Sequence, residues 1–282
     1  MDTSSIGIRD IVLGLRSIGL TQDSLVIVHA SLSSFGRVRG GAATLLGALL
    51  WTCDTVVMPS FTWRTMVWPL EGPPDNGMTY GDPRLAELNR NAVLFRSGLP
   101  VDPEIGVAPE LLRKQSFAVR SLHPVLSFVA AGRHAREVVA AQTRDQPLAP
   151  IEWLQQRGGD VVLIGVGHTR NTSLHFAEKL ASRMQFLRWA IEFDEEQVEA
   201  RAVRLPNFPG CSDGFDAIEA ELAFATTQVT IGSATVRRIP LQKLIGVAVG
   251  WISDVADALL CARPDCERCN AVRGNRSSDR HE

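Results

Sequence analysis

The chain has 282 residues, enough to bury a sizeable core in one large domain or two joined lobes. Its 29 basic and 31 acidic residues leave a formal net charge of −2, so no overall positive field draws it to nucleic acid. No apolar run reaches the ~20 residues of a membrane span, and the opening MDTSSIGIRD lacks the basic and apolar regions of a signal peptide. These features predict a cytoplasmic protein with no nucleic-acid or membrane partner.

Ile6, Ile8, Ile11, Val12, Leu15 and Ile18 recur at helical spacing. SLVIVHA (24–30) then reads as a buried strand, SLSSFGRVRGG as a polar, glycine-bearing loop, AATLLGALLW as a helix and TVVMPSF (55–61) as a second buried strand. Strand, loop, helix, strand is the βαβ rhythm of a parallel sheet. Residues 62–109 break that rhythm with prolines, glycines, Trp63, Trp68 and Tyr80, and a loop of this length is more often functional than idle. VAPELLRK resumes as a helix, VLSFVAAG (125–132) as a strand, RHAREVVAAQ and IEWLQQRG as helices, and DVVLIGVG (160–167) as a fourth buried strand. EEQVEARAVRL alternates as an exposed strand does, and DAIEAELAFA is helical in pattern. TVRRIPLQKLIGVAVGWISDVADALL gives a short strand and a closing helix, and AVRGNRSSDRHE (271–282) has the composition of a disordered tail. The expected fold is α/β: an αβα sandwich with a mostly parallel central sheet. The expected organisation is one domain over 1–260, an inserted lid-like loop over 62–109, and a cysteine-bearing, partly disordered tail over 261–282.

GVGHTR follows the fourth strand but lacks the third glycine of a dinucleotide fingerprint, which argues against a nicotinamide cofactor. Thr172, His175 and Glu178 stand at i, i+3 and i+6, on one helix flank facing the carboxyl end of that strand, where open α/β sheets place ligands. A carboxylate one turn from an imidazole orients it and raises its basicity. The structural alternative is that Thr172 caps the helix, His175 packs, and Glu178 pairs with Lys179 or Arg183. HASLSSFGRVRGG (29–41) sets three serines, backbone N–H groups and two arginines between a strand and a helix N-terminus, as a phosphate cradle or an ordinary βα loop with serine caps. In RSLHPVLSFVA (120–130), His123 is held extended by Pro124. With Arg120 and Ser121 beside it, the stretch taken alone reads as a strand entry.

Five cysteines are an odd number and argue against a disulfide framework. Cys53 sits among apolar residues and reads as a packed thiol. Cys261-x4-Cys266-x2-Cys269 supplies three of the four ligands a structural zinc wants. The nearest fourth candidates, Cys211 and His281, stand at no convincing spacing, so these thiols are expected to be free in a mobile tail, with no metal site.

In order, VHASLSSFGRVRGG, TVVMPSFT, GVAPELLRK, RSLHPVLSFVA, GGDVVLIGVG…NTSLHFAE and IGSATVRRIPLQKLIGVAVGWI resemble the aminoglycoside 3-N-acetyltransferase family, also called the antibiotic N-acetyltransferases, over roughly residues 8–255. The resemblance implies a fold distinct from that of the GNAT acetyltransferases and acetyl-CoA as cosubstrate. It implies that Ser31, Ser33, Ser34, Phe35, Gly36 and Val38 form a coenzyme A cradle, with Arg120, Ser121 and His123 touching the phosphate-bearing arm. It places Thr172, His175 and Glu178 on the family's catalytic Thr, His and Glu, while His168 falls at a variable position.

The chemistry then expected is direct acetyl transfer in a ternary complex. His175 is the base oriented by Glu178, and Thr172 or a nearby backbone N–H stabilises the oxyanion. No cysteine accompanies the histidine motif to form an acyl-enzyme. The expected acceptor is the 3-amine of a 2-deoxystreptamine aminoglycoside, conferring antibiotic resistance. A polycation of that kind calls for carboxylates, with Asp75, Asp102, Glu104, Asp213 and Asp216 leading an inventory that includes Glu71, Asp82, Asp194, Glu195 and Glu196. The competing expectations are N-acylation of another amine, such as a biosynthetic intermediate, and a coenzyme A-binding protein or oligomeric scaffold without transferase activity. The intact Thr-His-Glu set speaks against the last.

Overall fold

The computed structural model describes residues 5–194 and 199–278. Among them the strands are β1 (Leu25–Ala30), β2 (Thr55–Pro59), β3 (Met66–Val67), β4 (Val119–Arg120), β5 (Phe128–Gly132), β6 (Asp160–Ile164), β7 (Phe186–Asp194), β8 (Glu199–Phe208), β9 (Thr227–Ile231) and β10 (Ala234–Pro240). The α-helices are α1 (Ile8–Ser17), α2 (Gly41–Thr52), α3 (Pro83–Arg90), α4 (Val107–Arg113), α5 (Ala135–Ala140), α6 (Ala149–Gln156), α7 (Ser173–Leu180), α8 (Leu241–Asp254) and α9 (Glu267–Ser278).

Seven strands form the central sheet in the order β4-β5-β2-β1-β6-β10-β9. The inner trio β2-β1-β6 is parallel, as the βαβ rhythm predicts. β5 and β10 lie antiparallel on either side of it, and β4 and β9 reverse again at the edges. Five of the seven strands therefore point the same way. The trio reads as continuous aliphatic runs because both its faces are covered. Side chains alternate between two cores: Val26, Val28, Val56, Met58, Val162 and Ile164 pack with α1, α2 and α4, whereas Ile27, Val57, Val161 and Leu163 pack with α5, α6, α7 and α8.

A second sheet, β3-β7-β8, stands beside the first. The sequence pattern omits β7 and β9, whose pairing is settled by partners elsewhere in the chain. Residues 62–109 carry β3 and α3, the latter started by Asp82, whose carboxylate accepts from Arg84 N–H at 2.9 Å. Residues 216–225, expected to be helical, make only 3₁₀ turns at Phe215–Ile218 and Ala223–Ala225. The three-residue spacing of buried Phe215 and Ile218 suits that tighter turn. Residues 271–278, expected to lack structure, continue α9, because Val272 joins the main core and Arg273 Nη2 donates to the Cys261 carbonyl at 2.8 Å. Glu195, Glu196 and His281 lie outside the described residues. Among the described residues, no helix is long and apolar enough to cross a membrane.

Candidate active site

The carboxyl ends of β1, β2 and β6 open together into a cleft of about 1040 Å³. Its floor comes from Val28–Ala30, Met58–Pro59 and Gly165. Such a place is where an open α/β sheet leaves backbone groups and loop side chains free for a ligand. The volume is at the upper end of small-molecule sites, which suits two substrates at once.

His175 lines this cleft from α7, together with Thr172. Its Nδ1 lies 2.8 Å from Glu178 Oε2, and the other carboxylate oxygen accepts from Arg183 Nη1 at 2.9 Å. An ionised carboxylate only accepts, so Nδ1 is the donor of this bond and, in the neutral imidazole, Nε2 carries the lone pair. Glu178 thus both holds His175 and pairs with Arg183. Arg183 is in turn fixed by Nη2 donating to the Ala256 and Ala258 carbonyls at 3.1 and 2.8 Å. Phe215 covers the imidazole at a ring-centroid distance of 4.7 Å. Thr172 does not cap α7 with its hydroxyl. Asn171 Oδ1 takes the Ser173 N–H at 3.2 Å instead, leaving the threonine hydroxyl at the cleft.

His168, the most conspicuous histidine of the sequence, is buried and is not among the lining residues. Its Nδ1 meets Asn171 Nδ2 at 3.2 Å and its Nε2 lies 3.5 Å from Glu219, while burial pushes its pKa below the usual value.

In the loop after β1, Ser31, Ser33, Gly36 and Val38 face the cleft, and Arg37 and the first residue of α2, Gly41, join them. Two expected members stand behind this surface. Phe35 is packed in the core beside α2, and Ser34 donates to the Ser31 carbonyl at 2.6 Å. Gly36 takes φ of +81°, a turn that a side chain would strain.

Arg120, Ser121 and His123 are not among the residues that line the cleft. Arg120 spends its fork on the Ser60 carbonyl at 2.6 Å, Ser127 Oγ at 3.0 Å, and the Ser97 and Leu99 carbonyls. Ser121 accepts from Phe128 N–H at 2.8 Å and donates to Gln142. His123 Nδ1 accepts from Leu126 N–H at 2.9 Å and Val125 N–H at 3.2 Å, and burial pushes its pKa down to about 3. Arg120 thus ties residues 97–99 of the 62–109 segment to Ser60 and Ser127, while Ser121 and His123 brace the turn that leads into β5.

Of the leading carboxylates, Glu104 and Asp213 line the cleft. Asp102 is buried, held by Arg64 at 3.0 Å and by the Trp63 N–H. Asp216 accepts from Thr169 N–H at 3.1 Å, and Asp75 is exposed elsewhere. Neither lines the cleft. Asp213 is itself paired with Arg263 at 2.9 Å.

Several lining residues escaped sequence reasoning. His29, the penultimate residue of β1, has Nε2 buried and unpartnered, and burial, reinforced by His168, lowers its pKa to about 3. Trp63, Arg170, Phe208, Pro209, Gly210, Ser212 and Arg268 form walls drawn from distant segments. For His29 the signal was present, as a polar residue at the carboxyl end of a buried strand. For Arg268 there was none, because α9 lay in a segment expected to be disordered. The cysteines are a further correction. Cys211, Cys261, Cys266 and Cys269 are buried together, not free in a mobile tail.

A family model described as aminoglycoside 3-N-acetyltransferase matches residues 27–253. Aminoglycoside N(3)-acetyltransferase VII of Streptomyces paromomycinus is 29% identical over 263 residues, covering 85% of this chain and 89% of its own. A mutant of aminoglycoside acetyltransferase AAC(3)-IVa in complex with a gentamicin has a TM-score of 0.76 at 23% identity, covering 97% of this chain and 99% of that one. AAC-IIIb bound to CoASH has a TM-score of 0.72 at 24% identity, covering 89% and 97%. At these identities the structural likenesses speak for the fold.

Proposed function

We propose, on the premise that the chain belongs to the aminoglycoside 3-N-acetyltransferase family, that this cleft moves an acetyl group from acetyl-CoA to the 3-amine of a 2-deoxystreptamine aminoglycoside and so confers resistance. The observation that carries the reading is the His175–Glu178 pair, with Nδ1 held by the carboxylate and His175 lining a cleft that also receives the loop after β1. CoASH and a gentamicin are bound by relatives of the same fold.

The acceptor amine is an ammonium ion at neutral pH and must lose a proton to attack. That first proton goes to solvent. As the neutral nitrogen bonds to the carbonyl carbon, His175 Nε2 takes its second proton while Glu178 holds Nδ1–H in place. The C–S bond then breaks and His175 passes that proton to the sulfur, so coenzyme A leaves as the thiol and the neutral amide remains. The Thr172 hydroxyl, unspent on capping, faces the developing oxyanion. No cysteine lines the cleft among the described residues, which supports transfer without an acyl-enzyme. Ser31, Ser33 and Arg37, with the N-terminus of α2, cradle the phosphate-bearing arm. The reaction belongs in the cytoplasm, with the acetyl-CoA pool.

A second reading rests on the lining charges. Glu104 and Asp213 are accompanied by Arg37, Arg170 and Arg268, a balance that suits an amine less cationic than a typical aminoglycoside. Free-thiol release from acetyl-CoA, run with a panel of aminoglycosides and simple amines, separates the two. Turnover of gentamicin- or neomycin-like compounds to 3-N-acetyl products supports the first. Coenzyme A binding with no aminoglycoside turnover moves the acceptor to another amine. Near-wild-type turnover in His175→Ala would remove the assigned base.

A further inference from the structure

The sulfur atoms of Cys211, Cys261, Cys266 and Cys269 all lie within 4.8 Å of one another, and all four side chains are buried. Four sulfurs so close outline a tetrahedron, and Zn–S bonds of about 2.3 Å give such a figure edges of about 3.8 Å. The cluster stands apart from the two main cores, with Leu260 as the apolar side chain packed on it. Four thiols and one leucine bury too little apolar surface to hold two distant segments together. None of the cysteines is in a disulfide.

The surroundings are those of thiolate ligands. Asp213 N–H points at Cys211 Sγ and Cys261 N–H at Cys269 Sγ, each at 3.4 Å, as the outer-shell donors of a metal site do. Arg263, Arg268 and Arg273 rise from the same short stretch and suit the net negative charge of a metal tetrathiolate. The backbones are built to approach. A Cβ on Gly214 would lie 2.5 Å from the Leu259 carbonyl oxygen, so only glycine lets the 208–216 segment meet the segment before Cys261.

We propose that these four cysteines bind one structural zinc ion, and that the ion pins α9 to the 208–216 segment walling the cleft. Four protein ligands close the coordination sphere, so the ion has a scaffolding role and offers no open position for chemistry. Each thiol gives up its proton on binding. The pinned segment carries Phe208, Gly210 and Asp213 in the cleft and Phe215 on His175, and Arg268 of α9 donates to the Gly210 carbonyl at 2.8 Å. The link to the amine side of the cleft rests on the function proposed above; the zinc assignment does not.

The full chain, purified without added metal, is analysed by plasma emission and intact mass. The expected result is about one zinc per chain, released to a chromophoric chelator only after a mercurial blocks the thiols. Growth on cobalt is expected to give the intense absorption of a tetrahedral cobalt thiolate. Cys266→Ser and Cys269→Ser lose the metal, melt at lower temperature and raise KM for the amine several-fold, with coenzyme A affinity unchanged. Metal-free wild-type protein with four titratable thiols overturns the proposal, as does a mass deficit of disulfides or iron in place of zinc. The wild-type measurements decide it even if both variants fail to fold, and whichever amine is acetylated.

Discussion

Arg183 Nη1 donates to Glu178 Oε1 at 2.9 Å, on the opposite oxygen from the one that holds His175, and both side chains of this ion pair are only 3% exposed. The carboxylate is therefore a shared anchor, fixed by a guanidinium that is itself fixed by two backbone carbonyls. Glu178→Gln keeps an acceptor for Nδ1 but strips the charge that Arg183 faces. Breaking a buried pair from one side costs on the order of 3 kcal/mol. We expect a loss of that size in urea unfolding, and a fall in kcat that exceeds any change in KM.

Acid sensitivity should begin earlier than carboxylates alone would set it. Burial holds His29 and His123 neutral in the folded protein, each pushed down to about 3, whereas the unfolded chain takes up those protons near pH 6.5. The unfolded state thus binds more protons between these values. Stability is complete above about pH 6.5 and falls as pH drops toward 3, by up to about 1.4 kcal/mol per pH unit for each histidine. His123→Asn, which keeps an acceptor for the Leu126 N–H, should flatten that slope in unfolding free energies measured from pH 7 to pH 4.

Arg120→Lys separates a structural fork from a phosphate contact. Lysine keeps the charge but cannot span Ser60, Ser97, Leu99 and Ser127 together. The expected outcome is a lower Tm and faster proteolysis between residues 62 and 106, with coenzyme A affinity unchanged in calorimetry. A weakened affinity at unchanged Tm would return Arg120 to the cosubstrate.

Gly165 takes φ of +61°, and a Cβ there would lie 1.8 Å from Ser34 Oγ. Gly165→Ala must strain its own backbone and displace the serine that braces the loop after β1, together about 2–4 kcal/mol. Steady-state kinetics should show KM for acetyl-CoA rising while KM for the amine stays near its original value.

These outcomes trace what could be read beforehand. β1, β2 and β6 were legible because strands covered on both faces read as unbroken aliphatic runs, and the three-residue spacing of His175 and Glu178 places them on one face of any helix. For Arg120 and His123 the sequence does not distinguish a phosphate grip from a structural one, because the residue types that grip a phosphate also grip carbonyls and amides, and their partners at residues 97–99 and 125–126 become visible only in three dimensions. The four-cysteine cluster was set aside for a related reason. Spacing rules look for local knuckles, whereas Cys211 reaches Cys261 from fifty positions away, through the close approach at Gly214.

The lining of the cleft by Arg268 also sets an order of events in time. When the ribosome has exposed everything through residue 253, the whole family core is available to fold. Arg268 of α9 is still to join the cleft. At about 5–20 residues per second, a nascent chain spends about a second or more with its sheet in place and Arg268 missing from the cleft. The newborn protein thus completes its cleft in two steps, the floor at the strand ends before the contribution of α9.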